Sequence, residues 1–453
     1  MADTARAALD LTSLGAEMHA LVRELYPICR SITGDGVRQT LRALARVAPL
    51  ELVEVPSGTP VLDWTVPREW NIRDAWVADA SGRRVIDFRA SSLHVVSYSV
   101  PVRTHLPFAE LRARLHALPA HPDWIPYRTS YYDETWGFCL TQRQLDALEA
   151  RGERAEYEVV IDSTLTPGHL TYGELMLPGE LEDEILISAH VCHPSLADDN
   201  LSGLAVAATL ARHLSKRPRR HTLRFLFAPG TIGAITWLAR NRERASRIKH
   251  GLTVTCLGDA HPFTYKRTVG GAAPVDRAAA HVLARHTEKA HQTIDFFPYG
   301  YDERQYNSPG FRLAVGSLMR GRHGQFREYH TSADNLSFVS GERMAESLGI
   351  CGEIVDLLEG NLRYRNLAPY GEPQLGSRGL YRALGGTSIP NLQLAMLWVL
   401  NLSDGEHSLL DIAERAEMSF RAIHGAAQLL LGHGLLAEVT DGRAAVPNHV
   451  TNS

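Results

Sequence analysis

The chain has 453 residues, 44% of them hydrophobic and 22% charged, with a formal net charge of -4. That length exceeds one ordinary core and implies two or three soluble domains, and the small net charge excludes a global electrostatic pull toward nucleic acid or anionic lipid. Five scattered cysteines without CxxC spacing exclude a disulfide framework and point to reduced thiols in a cytoplasmic setting.

Residues 1–16 carry Asp3, Arg6 and Asp10 and lack the apolar core of a secretory signal. Residues 14–47 show helical periodicity, broken by the turn cluster SITGDG at 31–36. Between 51 and 150 the character changes. Short alternating stretches at 85–88 and 93–102 lie among prolines and tryptophans and predict a small β-rich insert. Its aromatic ends, Trp64 to Trp70 and Trp124 to Tyr127, either border a cleft or pack on the main domain.

From 157 to 358 strand-like and helix-like runs alternate. Strands are expected at 157–162, 184–189, 222–227, 252–257 and 313–318, with helices at 203–214, 234–245 and 275–289. This order predicts a mainly parallel sheet covered by helices. A Gly/Pro-rich stretch at 368–390 reads as a linker. Helices at 391–402, 409–415 and 419–431 and a hairpin at 435–446, turning at Asp441 and Gly442, follow in the order of a winged helix-turn-helix. The apolar run at 392–402 falls short of the roughly 18 residues that span a bilayer, so no membrane partner is expected.

The richest segment is SAHVCHPSLADDNLSG at 188–203. It places His190, His193, Asp198 and Asp199 between an apolar strand and a helix, at the strand end where open α/β sheets bind ligands. Imidazole and carboxylate suit zinc. A lone histidine is usually packing or surface, and this chain has 21. The pair here stands apart because it shares a loop with two aspartates. Asp259 closes the apolar run 252–257, and the following Ala260, His261 and Pro262 do not read as a helix start, which favours a ligand over an N-cap. Tyr329, His330, Thr331 and Ser332 set a histidine beside a phenol, with Glu328 just before them. Tyr301, Asp302, Glu303, Arg304 and Gln305 form a dense polar cluster, in which Asp302 and Arg304 serve equally as an ion pair or as site residues.

These segments, in this order, resemble the cocatalytic zinc aminopeptidases, and more closely a bacterial subgroup of aminopeptidase-like proteins with an inserted small domain and a C-terminal winged helix. The motifs HxCHPSxADDNLSG, YDERQY with SPGF, GSLMR and EYHTSADNL carry the resemblance. It implies an α/β zinc-aminopeptidase-like α/β/α sandwich made of residues 1–50 and 151–367, a β-rich insert at 51–150 and a winged helix at 368–453. It implies metal ligands at His190, Asp199, Asp259 and His330, with His193 as a further candidate. Tyr329 and Arg304 become candidates to steady an oxyanion.

One departure is large. The family's Glu-Glu pair, general base followed by metal ligand, falls on Gly230 and Thr231. Hydrolysis at a metal centre needs a group to take a proton from the attacking water, a contribution of about 10²–10⁴-fold, and glycine has none. Glu328, Glu303, Asp302 and Asp198 are the candidates to replace it. The loss of the second carboxylate implies one zinc ion per chain. The expected activity is zinc-dependent hydrolysis of an amide or peptide bond in a small, amine-bearing or peptide-like substrate. A catalytically inactive binding protein on the same fold is the alternative. A DNA-binding regulator is disfavoured, because the would-be recognition helix at 419–431 holds only Arg421 and the wing adds only Arg443. Self-association through the insert or the winged helix remains open.

Overall fold

The computed structural model of the chain describes residues 10–286, 290–380, 391–440 and 443–444. They form two compact units, Met1–Ala273 with Lys289–Cys351, and Pro274–Glu288 with Gly352–Ser453. Among the described residues no helix is long and apolar enough to cross a membrane.

The first unit is organised by an eight-stranded sheet. Its four central strands run in the order His221–Ala228, Leu181–His190, Ile248–Val254 and Val315–Met319, and each neighbouring pair is parallel. These strands read as almost unbroken apolar runs because both faces are covered; Ile185, Leu186, Ile187, Phe225, Leu226 and Leu252 are all buried. Antiparallel strands extend the sheet, Glu51–Pro56 and His169–Leu177 on one side and Thr264–Lys266 on the other, where Gln292–Ile294 pairs parallel to it at the edge. The helix Gly203–Leu214 is buried along nearly its whole length, and Ile232–Arg240 buries Ile235, Trp237 and Leu238. The four parallel strands end together, so the loops after Ala228, His190, Val254 and Met319 share one crevice. Ligands bind such sheets at that edge.

A second sheet, antiparallel, orders Arg84–Asp87, Glu69–Asp79, Glu156–Thr166 and Val102–Pro107. Its inward residues Ala75, Val77, Ile86, Tyr157, Val159 and Ile161 pack with Phe108, Phe138 and Leu145. The strand expected at 157–162 therefore belongs to this small sheet and not to the main one. Periodicity alone does not tell which sheet an apolar run joins.

One charged group lies deep in the main sheet. Arg224 is 1% exposed, gives Nε and Nη2 to the Glu184 carboxylate at 2.6 and 2.7 Å, and also pairs with Glu174. Removing one member of a buried pair strands the other charge, at about 3–5 kcal/mol. Arg224→Met should therefore lose about that much in urea melts, and pairing it with Glu184→Leu should return most of the loss. Additive losses in the double variant would show that the pair is not coupled.

In the second unit the helices Asn391–Leu402, Leu409–Arg415 and Phe420–Gly432 accompany a sheet ordered Asp404–Ser408, Arg363–Asn366, Leu436–Thr440 and Arg443–Ala444. This is a winged helix with an added strand at Arg363–Asn366, whose alternating arginines hid it in the sequence. Ser408 and Asp411 cap the second helix reciprocally, and Ser419 caps the third by accepting from the Ala422 amide. The helix Pro274–His286 belongs to this unit, where His281 accepts from the Phe420 amide at 3.0 Å and Arg277 pairs with Asp411 and Glu414. The turn expected at Asp441 and Gly442 lies outside the described residues, as does the 381–390 part of the expected linker.

Candidate metal centre

His190 is the last residue of its strand and points into the crevice, 3% exposed. The chain then turns through 191–202 and enters the helix Gly203–Leu214. That turn carries Asp199, 1% exposed, which is the hub of the site. Its Oδ1 accepts from His190 Nε2 at 2.8 Å and lies 3.3 Å from His193 Nδ1; its Oδ2 accepts from His330 Nε2 at 3.0 Å. One ligand atom from each of His190, His193 and Asp199 lies within 4.8 Å of the others. Three imidazoles around one buried carboxylate are the donor set that zinc takes, and nitrogens now turned to the carboxylate can equally face an ion. The residues fit the metal that the fold implies.

The turn is held from several sides. Asp334 accepts the Asp198 and Asp199 amides at 2.6 and 3.0 Å, tying the Asp199 turn to the loop of His330. Asn200 Nδ2 donates to the Val254 carbonyl at 3.1 Å, while its Oδ1 accepts the Cys256 amide at 3.3 Å. Buried Arg30 donates Nε to the His193 carbonyl at 3.0 Å. Such outer contacts fix the orientation of metal ligands.

Electrostatics follow from this burial. Burial pushes His190 down to about 4, against the pull of Asp199, and leaves a neutral imidazole. Burial also opposes charge on His193, but Asp199 and Cys192 outweigh it and hold its pKa well above the ordinary value. Asp199 stays ionised, because the histidines overcome the cost of burying its charge. Asp198 is the reverse case: burial, with Asp259 and Asp334 nearby, raises it well above the carboxylate range. Buried Asp334 is pushed up to about 7.

Gly230 follows the strand His221–Ala228, and a Cβ there would run into the ring of Tyr301. The Tyr301 ring lies 3.9 Å from that of His190, and its hydroxyl meets Cys192 Sγ at 3.0 Å and His193 Nε2 at 3.2 Å. Burial, with Cys192 nearby, raises the phenol well above its ordinary pKa, so it keeps its proton. A neutral tyrosine therefore occupies the space that a side chain at 230 would need.

The other expected residues divide. His330 joins the centre, and Tyr329 stacks on it at 4.0 Å. Both line a cleft of about 500 Å³ with Tyr127, Arg128, His116 and Arg112. Asp259 is fully buried, and its carboxylate accepts from the Gly321 amide at 2.9 Å and from His261 Nδ1 at 3.0 Å. Neither Asp259 nor His330 is in the clusters gathered around Asp199; His330 belongs to the centre through its direct bond to Asp199 Oδ2. The Glu303 carboxylate is taken up by Lys266 and by the Tyr301 amide. Arg304 sits on the short helix Glu303–Tyr306, half-buried. Glu328 enters the local bonding through its carbonyl, which accepts from the Thr331 amide and hydroxyl.

Residues 19–361 match a family model described as a domain of unknown function, DUF4910, and residues 362–438 match a winged helix-turn-helix model. The chain belongs to the DUF4910 family. A Clostridium acetobutylicum relative is 52% identical over 417 residues, covering 92% of this chain and 95% of its own; it is provisionally named a polysaccharide biosynthesis protein with aminopeptidase-like domain. A crystal structure from the same organism, provisionally named a peptidase, superposes with a TM-score of 0.89 at 49% identity, covering 95% of this chain and 97% of that one. A zinc aminopeptidase from Bacillus subtilis shares the fold at a TM-score of 0.55 and 12% identity, covering 75% of this chain and 94% of its own. The architecture is thus aminopeptidase-like, with a C-terminal winged helix.

Within this DUF4910 chain, sequence reasoning did not single out Cys256, His323 or the packing role of Tyr301. Asp199, Cys256 and His323 form a second group whose ligand atoms lie within 4.8 Å of one another. The available signal was position: Cys256 lies two residues past the strand Ile248–Val254, and His323 four past Val315–Met319.

Proposed function

We propose that this chain is a zinc-dependent hydrolase that cleaves an amide bond of a small substrate. The observation that carries the reading is the buried Asp199 carboxylate shared by His190 and His330, with His193 beside it, at the carboxyl edge of the sheet. His190, His193, Asp199 and His330 would hold the ion, which when bound supplies Lewis acidity toward water and a carbonyl oxygen. The chain's own residues do the rest. Tyr329 flanks His330 in the cleft and, kept protonated by burial, can donate to an oxyanion. Tyr301 offers a second proton beside His193. Asp302 is buried with Oδ1 unpartnered among the described residues, and burial raises its pKa well above the carboxylate range. It and Asp198, whose Oδ2 is likewise unpartnered among the described residues and whose pKa burial likewise raises, are the carboxyl groups able to exchange a proton in place of the absent base.

The cleft of about 500 Å³ suits a small molecule. Arg112, Arg128 and His116 on its wall favour a substrate with an acidic or polar acyl part as well as the amine side. All five cysteines are free thiols, which suits a cytoplasmic setting. The name of the Clostridium relative directs the search toward N-acylated amino sugars beside aminoacyl amides. Primary-amine release from such a panel should be abolished by a chelator and restored by zinc. Zinc-loaded protein that binds a panel member without turnover would favour the second reading, a binding protein, which the Gly230–Tyr301 packing supports.

A further inference from the structure

Cys256 is fully buried, and a buried cysteine is ordinarily an inert small hydrophobe. Three observations set this one apart. Its backbone lies in the left-handed region at φ 49°, as does His330 at φ 54°, a conformation that non-glycine residues hold only where the surroundings enforce it. The enforcement is visible: Asn200 accepts the Cys256 amide, Ser202 the Leu257 amide at 2.8 Å and Asp198 the Gly258 amide at 2.8 Å, so the loop after Val254 is clamped to the Asp199 turn. The clamp brings Cys256 Sγ, a His323 ring nitrogen and an Asp199 carboxylate oxygen within 4.8 Å of one another. Finally, His323 is 6% exposed yet lines a separate cavity of about 220 Å³ with Lys266, Tyr299 and Arg322.

We propose that Cys256, His323 and Asp199 form a second metal site, distinct from the His190–His193 side of Asp199 and built around a thiolate. A sulfur, a nitrogen and a carboxylate oxygen suit zinc and exclude magnesium, calcium and manganese as preferred ions. The site replaces by another route the carboxylate missing at Thr231. Asp199 becomes the shared ligand of two ions, so the chain holds two metals and not the one expected from its sequence. The inference rests on the reading of Asp199 as a metal ligand.

Cobalt(II), which takes zinc sites and gives an intense near-ultraviolet charge-transfer band only when bound by thiolate, tests this on the full chain after chelator treatment. Titration should reach two cobalt ions per chain, with the thiolate band accounting for one. Cys256→Ser should abolish the band and leave one ion bound. His323→Ala should weaken filling of the band by at least about tenfold, and His190→Ala should keep the band while weakening the other ion. Cobalt bound to the unaltered chain without a thiolate band, or an undiminished band in Cys256→Ser, would overturn the second site and leave the first standing. No cobalt or zinc bound at all would overturn both. Absence of the band from the unaltered chain overturns the second site even if a variant folds poorly, and Cys192→Ser, which should keep the band, excludes the thiol beside His193 as its source.

Discussion

Replacing Asp199 with asparagine should cost at least about 100-fold in zinc affinity, a larger effect than replacing any single histidine. The carboxylate is the one group that meets His190 through Oδ1 and His330 through Oδ2. Even outer partners of metal ligands are worth about 10–100-fold, and Asp199 would be a ligand itself. The metal-free protein should also weaken. His193, held protonated chiefly by Asp199 against the cost of burial, would lose its counter-charge, and stranding one member of a buried pair costs about 3–5 kcal/mol. Equilibrium dialysis against zinc and thermal melts of the metal-free chain measure the two effects separately. An asparagine variant that binds zinc as the unaltered chain does would remove Asp199 from the centre.

The second large effect concerns Gly230. Restoring the glutamate that the zinc-aminopeptidase pattern places there should not restore activity by itself, because the Tyr301 ring stands where the new Cβ must go. Gly230→Glu alone should destabilise the chain by about 1–3 kcal/mol through overpacking and disturb the Tyr301 contacts with His190 and His193. Combined with Tyr301→Ala, which empties the space, the same substitution should cost less than the two single changes added together, a coupling expected of residues in direct contact. Relative to Tyr301→Ala alone, the double variant should then gain about 10²–10⁴-fold in amide hydrolysis, the usual worth of a positioned base. A Gly230→Glu variant with unchanged melting temperature would show that the ring yields freely.

The parts of the site legible in the sequence were those set by local rules. His190 ends an apolar strand, and Asp199 sits in the turn before a helix, so both followed from chain order. The winged helix followed in the same way from three spaced helices. What stayed hidden depended on where pairing stops and on contacts distant in sequence. The apolar run 252–257 points to Asp259, but the strand ends at Val254 and Cys256 turns the backbone left-handed, which leaves Asp259 to bind the Gly321 amide. His323 lies in a glycine-flanked loop with no periodicity to mark it. The meaning of Gly230 became clear only with Tyr301 against it, since nothing in a single chain's sequence announces that two such positions touch.

The most direct measurement is metal content by mass spectrometry, on protein purified without a metal-binding tag or chelator, with Asp199→Asn alongside. Zinc bound to the unaltered chain and lost in the variant is the predicted result. No zinc in the unaltered chain, even after reconstitution, would contradict a metal-dependent hydrolase and leave a binding protein on an aminopeptidase-like fold.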